Sequence, residues 1–170
     1  MKILLLSDTH GYIDEKITAH AADADEIWHA GDIGNIDVAD QLKKINPLKA
    51  VHGNIDGKDI RITYPLDNTF EINGIKVWIT HIGGYPGHYD RRVRSILETN
   101  PPNLFICGHS HILRVMRDQK YNMLCMNPGA AGVSGFHKIR TMIRFQIISG
   151  KIENPEVIEL GMRGIIIPQN

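Results

Sequence analysis

Short apolar runs alternate with longer helical patterns over the first half of the chain, and this alternation constrains the fold more than any other feature. The continuous apolar run at residues 3–7 predicts a buried strand, and two further strands are predicted at residues 26–30 and 48–52. Residues 14–24 and 37–45 between them are predicted helices, the first with Asp14 as its N-cap and the second ending before Pro47. This strand–helix order implies parallel strands with helices packed on the sheet.

The second half of the chain contains hairpins and fewer helical segments. Residues 69–72 and 75–80 flank Asn73-Gly74, a pair that tolerates the positive φ of a two-residue hairpin turn. Residues 89–99 are predicted to form a helix that Pro101-Pro102 terminates. Further strands are predicted at residues 104–107, 113–117 and 123–126, and a last hairpin at 140–148 and 151–160. We therefore predict a mixed α/β fold, with two sheets face to face and helices on their outer faces.

The composition is that of one ordinary globular domain spanning residues 1–170, with 42% apolar and 22% charged residues. Lys plus Arg and Asp plus Glu both total 19, so no broad basic field exists and a stable nucleic-acid partner is not expected. The apolar start at residues 3–6 is too short for a secretory signal, and no run approaches a membrane span. Cys107 and Cys125 lie in apolar runs, so we expect buried, reduced thiols in a cytoplasmic protein.

Polar clusters rich in metal ligands follow several of the apolar runs. Seven side chains share this position: Asp8, His10, Asp32, Asn54, His81, His109 and His111. Asp8 and His10 are two residues apart, so in extended backbone they point to the same side. Because the carboxyl ends of parallel strands lie at one edge of a sheet, we expect the ligand-bearing loops to converge there.

The donor types favour a pair of divalent ions. Carboxylate oxygen, imidazole nitrogen and amide oxygen suit Mn²⁺, Fe, Zn²⁺, Ni²⁺ or Co²⁺, and the lack of thiolates argues against a structural zinc cage. One Asp that offers both oxygens can bridge two ions. Two divalent ions against Asp8 and Asp32 leave a formal charge of about +2, which fits a phosphate ester. Such ions also lower the pKa of a bound water and so provide a nucleophile.

Five polar blocks together resemble the motifs of the calcineurin-like metallophosphoesterase superfamily. The blocks are Asp8-Thr9-His10, Gly31-Asp32, Gly53-Asn54-Ile55-Asp56, His81 and Gly108-His109-Ser110-His111. The short chain and its Asn127-Pro128-Gly129 are similar to the small bacterial and archaeal phosphodiesterase branch, which includes relatives of the retromer scaffold subunit. The resemblance implies a four-layer α/β/β/α sandwich with two mixed β-sheets facing each other.

The resemblance also implies how the ligands divide between two divalent metal ions, of which Mn²⁺ is the most favoured. One ion would be held by Asp8, His10, Asp32 and His111. The other would be held by Asp32, Asn54, His81 and His109, so Asp32 would bridge the pair. Asn54, Asp32 and His81 would be the catalytic residues, and Asn54 would also touch the substrate phosphate.

Ile55 stands where many members of the superfamily have a His that protonates the leaving group. An isoleucine cannot donate a proton, so this departure favours diesters or activated leaving groups over monoesters. His88 and His137 lie in glycine-containing loops, and either is a candidate to replace the missing donor. Asp56 replaces the usual Glu and is a candidate acceptor for a ligand His.

Other His and Arg side chains are expected to have structural roles. His29 and His52 each precede the glycine region that ends a strand, and we expect both to be hydrogen-bonded core residues. Arg91, Arg92 and Arg94 are predicted to form a solvated helix face, with contact to substrate phosphate as the alternative.

From these residues we predict a divalent-metal-dependent phosphodiesterase, in which a metal-bound hydroxide attacks a small phosphodiester substrate. The alternatives are a non-catalytic protein-interaction scaffold of the retromer-subunit type and a phosphomonoesterase. A nuclease is less favoured because the chain lacks a basic stripe. The sheet edges and Ile165-Ile166-Ile167 make a homo-oligomer a further expectation.

Overall fold

The computed structural model describes residues 1–136 and 138–164. The first elements are β1 (Lys2–Leu6), α1 (Glu15–Ala22), β2 (Glu26–His29), α2 (Ile36–Ile45) and β3 (Leu48–Ala50). Next come α3 (Lys58–Thr63), β4 (Asp67–Ile72), β5 (Ile75–Thr80), β6 (Gly84–Tyr85), β7 (His88–Tyr89) and α4 (Arg91–Leu97). The last are β8 (Leu104–Ile106), β9 (Leu113–Asp118), β10 (Met123–Pro128), β11 (Ile139–Ile148) and β12 (Lys151–Met162).

The first sheet has the strand order β12-β11-β1-β2-β3. β1, β2 and β3 are parallel, as the strand–helix alternation predicted. β11 is antiparallel to both β1 and β12, which makes the sheet mixed. α1 and α2 cover its outer face, where Leu4 and Leu6 pack with Ile17 and Leu42. β1 is apolar at successive positions because both of its faces are buried.

The second sheet has the strand order β4-β5-β8-β10-β9. β5, β8 and β10 are parallel, and β4 and β9 pair antiparallel at the two edges. The predicted hairpin turn joins β4 to β5, with φ of 48° at Asn73 and 78° at Gly74. α4 covers the outer face, where Val93 and Leu97 pack with Phe105.

A shared apolar core lies between the two sheets. Leu5 and Trp28 from the first sheet pack with Val77 and other buried side chains of the second. The Trp28 ring meets Phe70 edge-on, with ring centroids 5.2 Å apart. Together with the helices on both outer faces, this core confirms the four-layer α/β/β/α sandwich. The assignment of residues 1–170 to one domain stays a prediction, and Ile165-Ile166-Ile167 lie outside the described residues.

Three short elements differ from the sequence predictions. The helix predicted at residues 89–99 spans Arg91–Leu97, because Asp90 is its N-cap and accepts a hydrogen bond from the Arg92 backbone N–H (2.9 Å). α3 and the β6–β7 hairpin were not predicted, since segments this short show no clear periodicity. Within residues 1–136 and 138–164, no helix is long and apolar enough to cross a bilayer.

Candidate metal centre

The loops after β1, β2, β3, β5 and β8 meet at one end of the sandwich. The Asp8 backbone N–H donates to the Gly31 carbonyl (3.0 Å), which joins the first two loops. The Gly108 N–H donates to the His81 carbonyl (3.0 Å), which joins two loops of the second sheet. The His109 N–H donates to Asp8 Oδ2 (3.2 Å), which joins a loop of the second sheet to a loop of the first. The ligand-bearing loops therefore converge at one end, as expected from the carboxyl ends of parallel strands.

Three potential ligands form a first group, the Asp8 cluster, which consists of Asp8, His10 and His111. The Nε2 atom of His111 lies 3.0 Å from Asp8 Oδ1 and 3.3 Å from His10 Nε2. His10 Nε2 lies 3.8 Å from the same Asp8 oxygen. One donor atom from each residue falls within 4.8 Å of the others, close enough to surround one ion.

A second group, the His81 cluster, consists of Asp32, His81 and His109, with Asn54 beside it. His81 Nε2 lies 3.2 Å from Asp32 Oδ1 and 3.1 Å from Asn54 Oδ1. The rings of His81 and His109 meet edge-on, with centroids 5.3 Å apart. The structure thus brings together all seven side chains that the sequence singled out, in two groups.

Asp32 lies between the two clusters. Its Oδ1 atom faces His81, and its Oδ2 atom lies 3.9 Å from His10 Nε2 in the Asp8 cluster. The carboxylate is almost fully buried. Burial alone would raise the pKa of Asp32, but the His81 imidazole, the Ile55 backbone N–H and the nearby His10 hold it below its ordinary value. An ionised carboxylate with one oxygen directed at each cluster is the arrangement that a bridging ligand needs.

The tautomer of His81 shows why this arrangement fits a cation. Its Nδ1 lies 2.8 Å from the Ala30 carbonyl, which places the ring proton on Nδ1 and the lone pair on Nε2. That lone pair faces the oxygens of Asp32 and Asn54. Burial alone would lower the pKa of His81, but the Asp32 and Asp8 carboxylates raise it. Positive charge is therefore stabilised at this site, either as a proton on His81 or as a bound metal ion.

Asp8 provides an independent test of the fit to a metal. Its Oδ2 accepts a hydrogen bond from the His109 backbone N–H (3.2 Å). Its Oδ1 is buried and lies 3.0 Å from His111 Nε2, but none of the described residues donates a hydrogen bond to it. A buried oxygen that accepts no hydrogen bond costs about 1–3 kcal/mol, and more when it is charged. A divalent ion in the Asp8 cluster would remove this penalty, so the residues fit the metal that the donor types predicted.

Five of the potential ligands have a left-handed backbone, which is uncommon for residues other than glycine. They are Asp8 (φ 54°), His10 (φ 50°), Asp32 (φ 53°), His109 (φ 67°) and His111 (φ 56°). Each such residue costs about 1–3 kcal/mol, and such residues persist where the surrounding structure holds them. The turns direct the side chains inward directly after their strands. This strain could not be predicted from the amino-acid sequence, because Asp and His occur in ordinary loops as well.

Asp56 differs from its sequence interpretation. It was a candidate acceptor for a ligand imidazole, but its carboxylate accepts backbone N–H groups instead. The donors are Ile33 (3.2 Å), Gly34 (2.6 Å) and Gly53 (2.7 Å). Asp56 therefore joins the loop after β2, which contains Asp32, to the loop after β3, which contains Asn54. The short spacing of Asp56 from Asn54 was the only available signal of this role.

Close packing surrounds the candidate ligands. A Cβ atom on Gly53 would collide with the Asp32 carboxylate. Only glycine at this position lets the loop after β3 lie so close to Asp32. On the other side, the Asn127 amide donates to the Gly108 carbonyl (2.8 Å) and to Ser110 Oγ (3.1 Å). The Asn127 turn therefore packs against the loop that contains His109 and His111. A contact that the sequence did not predict places Arg163 Nη1 3.1 Å from His111 Nδ1.

The two core histidines were predicted with unequal success. His29 is fully buried, its Nδ1 accepts from the Gly31 N–H (3.2 Å), and its Nε2 lies 2.9 Å from Thr9 Oγ1. Burial lowers the pKa of His29 to about 4, so it is a neutral structural residue as predicted. His52 makes a hydrogen bond to the Tyr64 carbonyl (2.9 Å), but it is only half-buried and borders a cavity.

The arginines at the start of α4 do not share one environment. Arg91 and Arg94 are exposed, as predicted for a solvated helix face. Arg92 is also partly exposed, but it donates to Asp67 Oδ2 (2.6 Å) and Thr80 Oγ1 (2.8 Å) and is therefore held by the protein. Of the two candidate proton donors, His88 is exposed on the β6–β7 hairpin, and His137 lies outside the described residues.

Two cavities flank the clusters. The Asn54 cavity has a volume of about 320 Å³ and is lined by His52, Asn54, Arg61, His81 and Arg92, among others. The His109 cavity has a volume of about 330 Å³ and is lined by Tyr85, His88, His109, Arg114, Met116 and Met126, among others. Ile82 and Asp90 border both. Both volumes lie in the range of small-molecule sites, so groups attached to a phosphate at the clusters have room on either side.

Known proteins with similar sequences are described as phosphoesterases. A probable metallophosphoesterase of Methanothermobacter thermautotrophicus is 29% identical over 168 residues, which is 95% of this chain and 94% of that protein. A probable metallophosphoesterase of Methanocaldococcus jannaschii is 29% identical over 139 residues, which is 78% of this chain and 69% of that protein.

Solved structures with the same fold include two kinds of protein. An archaeal phosphodiesterase is 23% identical with a TM-score of 0.70, covering 94% of this chain and 100% of that one. Vps29 of Entamoeba histolytica in complex with Zn²⁺ is 16% identical with a TM-score of 0.71, covering 94% and 99%. These likenesses establish the fold. Residues 1–150 match the calcineurin-like phosphoesterase superfamily domain, and the chain belongs to that superfamily.

Proposed function

We propose that this protein is a phosphodiesterase that requires two divalent metal ions. The observation that supports it best is the position of Asp32, with one carboxylate oxygen directed at each of two ligand clusters. The Asp8 cluster and Asp32 would hold one ion, and the His81 cluster with Asn54 would hold the other. Mn²⁺ is the proposed ion, although the oxygen and imidazole donors also suit Ni²⁺, Fe, Zn²⁺ and Co²⁺.

The bound ions would offset the charge that develops on the phosphate and acidify a water that attacks phosphorus. Hydrogen bonds within the protein position the side chains that would take part in this reaction. The Ala30 carbonyl fixes the His81 tautomer, and Asp56 fixes the loop that contains Asn54. Asn54 lines the cavity beside His81, where its amide is available to orient a phosphate oxygen.

The two cavities, one on each side of the clusters, support a preference for diesters, and Ile55 supports a preference for activated leaving groups. Ile55 is 47% exposed beside Asn54, in the position where many relatives in the superfamily would place a proton donor. His52 and His88 border the two cavities, but within residues 1–136 and 138–164 neither makes a hydrogen bond to a candidate ligand that would hold it beside the phosphate position. Hydrolysis should therefore be fastest when the leaving group is stable without a proton, as 4-nitrophenolate is.

The first prediction concerns metal removal and ester class. Protein treated with a chelator should lose hydrolysis of bis(4-nitrophenyl) phosphate, and Mn²⁺ or Ni²⁺ should restore it. Under the same metal, 4-nitrophenyl phosphate should be hydrolysed at least about tenfold more slowly, a difference of about 1.4 kcal/mol in the barrier. Release of 4-nitrophenolate measures both rates. Asp32→Asn should remove the activity, whereas the exposed Asp40→Asn should not.

Equal rates with chelator and with metal would contradict the enzyme proposal. A faster monoester would assign a phosphomonoesterase instead. The scaffold alternative predicts weak metal retention and no turnover, so elemental analysis of protein purified without added metal separates it from the enzyme. The complete ligand set favours the enzyme.

The proposal includes a small phosphodiester substrate and a cytoplasmic location. Burial raises the pKa of Cys107 to about 12 and that of Cys125 to about 11, so both thiols are unreactive, and both are free in the structure. This is compatible with a reducing compartment. The edge strands β3, β4, β9 and β12 leave self-association open to a measurement of molecular mass in solution.

A further inference from the structure

The His109 cavity opens directly from the candidate metal centre. Gly108, His109 and Ser110 line it, and His109 is also a member of the His81 cluster. A phosphate at the centre would therefore have one of its ester groups at the mouth of this cavity. The nature of the cavity wall then decides which ester group the protein prefers.

Arg114 forms a cationic wall of the cavity. Its guanidinium carbon lies over the ring of Tyr85, 3.8 Å from the centroid. Among residues 1–136 and 138–164, no carboxylate forms an ion pair with Arg114. Because one face of the guanidinium is stacked on Tyr85 and no carboxylate pairs with it, its other face and its N–H groups are available to a ligand.

Most of the other walls are flat or apolar, apart from polar side chains such as Asp90, whose carboxylate caps α4. The Tyr85 ring contacts the His88 ring with centroids 4.9 Å apart. Tyr89 donates its hydroxyl to Asp118 (2.5 Å), so it presents ring surface to the cavity rather than a free donor. Met116 and Met126 complete this apolar part of the lining. Such a wall suits a planar group with π-electrons better than a compact anion.

The Asn54 cavity differs, because both of its guanidinium groups are already occupied. Arg61 donates to the carbonyls of Gly53 (2.9 Å) and Asn54 (3.1 Å), and Arg92 pairs with Asp67 (2.6 Å). Two unlike cavities on either side of one phosphate position indicate a substrate whose two ester groups are unlike.

We infer that the His109 cavity binds a nucleobase attached to one ester group of the substrate, stacked against Arg114 and Tyr85. A nucleobase is the planar group that biological phosphodiesters commonly contain, and bases stack on both aromatic rings and guanidinium planes. A single nucleoside needs no basic stripe, in agreement with the balanced charge of the chain. This inference rests on the proposed phosphodiesterase function.

The first test holds the leaving group constant and changes the other ester group. The 4-nitrophenyl ester of thymidine 5′-monophosphate and methyl 4-nitrophenyl phosphate both release 4-nitrophenolate. With Mn²⁺, wild-type protein should have kcat/KM at least about tenfold higher on the thymidine ester. Arg114→Ala and Tyr85→Leu should each lower that ratio about fivefold or more. Arg117→Ala is the matched control, since Arg117 is an exposed residue of the same strand, bonded to Asn122.

The second test does not depend on hydrolysis. Protein with ¹³C-labelled methionine methyl groups and diamagnetic Zn²⁺ is titrated with adenosine, ribose or benzyl alcohol. Adenosine should shift the Met116 and Met126 signals, which report on the cavity, and should leave Met1 and Met142 unchanged. Ribose should shift none of them, and Arg114→Ala should weaken the adenosine shifts.

Equal losses on both esters in Arg114→Ala, or unshifted Met116 and Met126 signals at millimolar adenosine, would overturn the inference. Equal shifts with benzyl alcohol would overturn the assignment to a nucleobase. Failure of the wild-type protein to hydrolyse either ester would count against the proposed function, and the methionine signals would still decide what the cavity binds.

Discussion

At the scale of single residues, the candidate metal centre consists of groups that are each unfavourable on their own. Asp8 has a buried oxygen without a hydrogen bond from the described residues, and five ligands have left-handed backbones. The identity of these side chains was predictable, because Asp, His and Asn after apolar runs are chemically specific. Their strain was not predictable, because it depends on how the surrounding loops hold the backbone.

The buried His29 should make the stability of the fold depend on pH. Its pKa is about 4 in the folded protein, against 6.5 for an ordinary His, so the unfolded chain binds the proton more tightly. The stability from neutral His29 is full above about pH 6.5 and is lost as the pH falls towards 4. Between pH 7 and 5 this group should cost about 2 kcal/mol of unfolding free energy.

Denaturant unfolding of the metal-free protein at both pH values measures this loss. His29→Gln should flatten the pH dependence by about that amount, and His20→Gln on α1 should not. A His29→Gln protein with the wild-type pH dependence would contradict the prediction.

At the scale of elements, Asp56 connects two loops that the sequence treats as separate. Its three backbone donors come from the loops after β2 and β3. The order β1–α1–β2–α2–β3 was predictable from hydrophobic periodicity, and the β4–β5 hairpin from Asn73-Gly74. The position of β11 beside β1 could not be predicted, since these strands are more than 130 residues apart in the sequence. The hydrogen-bond donors to Asp56 could not be predicted either, because every residue type except proline has a backbone N–H group.

Asp56→Asn tests this connection. The amide has one carbonyl oxygen for the three donors, so unfolding free energy should fall by about 1–3 kcal/mol. Activity on bis(4-nitrophenyl) phosphate should fall about tenfold because Asp32 and Asn54 lose their relative placement. Denaturant unfolding and initial rates measure the two effects. The exposed Asp59→Asn on α3 is the control, and wild-type behaviour of Asp56→Asn would show that the connection is dispensable.

At the scale of the whole molecule, the candidate ligands come from both sheets. Asp8, His10, Asp32 and Asn54 follow strands of the first sheet, and His81, His109 and His111 follow strands of the second. Each cluster contains ligands from both sides. Metal ions would therefore hold the two layers together at one end of their shared core.

Metal binding should stabilise the entire fold as a result. With free Mn²⁺ at about 100 times its Kd, the unfolding free energy should rise by about 2.7 kcal/mol. For a chain of this size, that corresponds to an increase in Tm of about 5–10 °C, measured by calorimetry with and without chelator. Asp32→Asn should remove most of the increase. A Tm that does not depend on Mn²⁺ in the wild-type protein would contradict this role.

The distribution of ligands along the chain also has a consequence during synthesis. The contact between His10 and His111 spans 101 positions, and each cluster needs a side chain at position 109 or 111. A nascent polypeptide that has not yet reached these positions holds neither coordination set, however well its first strands have formed. Binding of the proposed ions would then come late, after most of the polypeptide has left the ribosome and the two sheets have packed together.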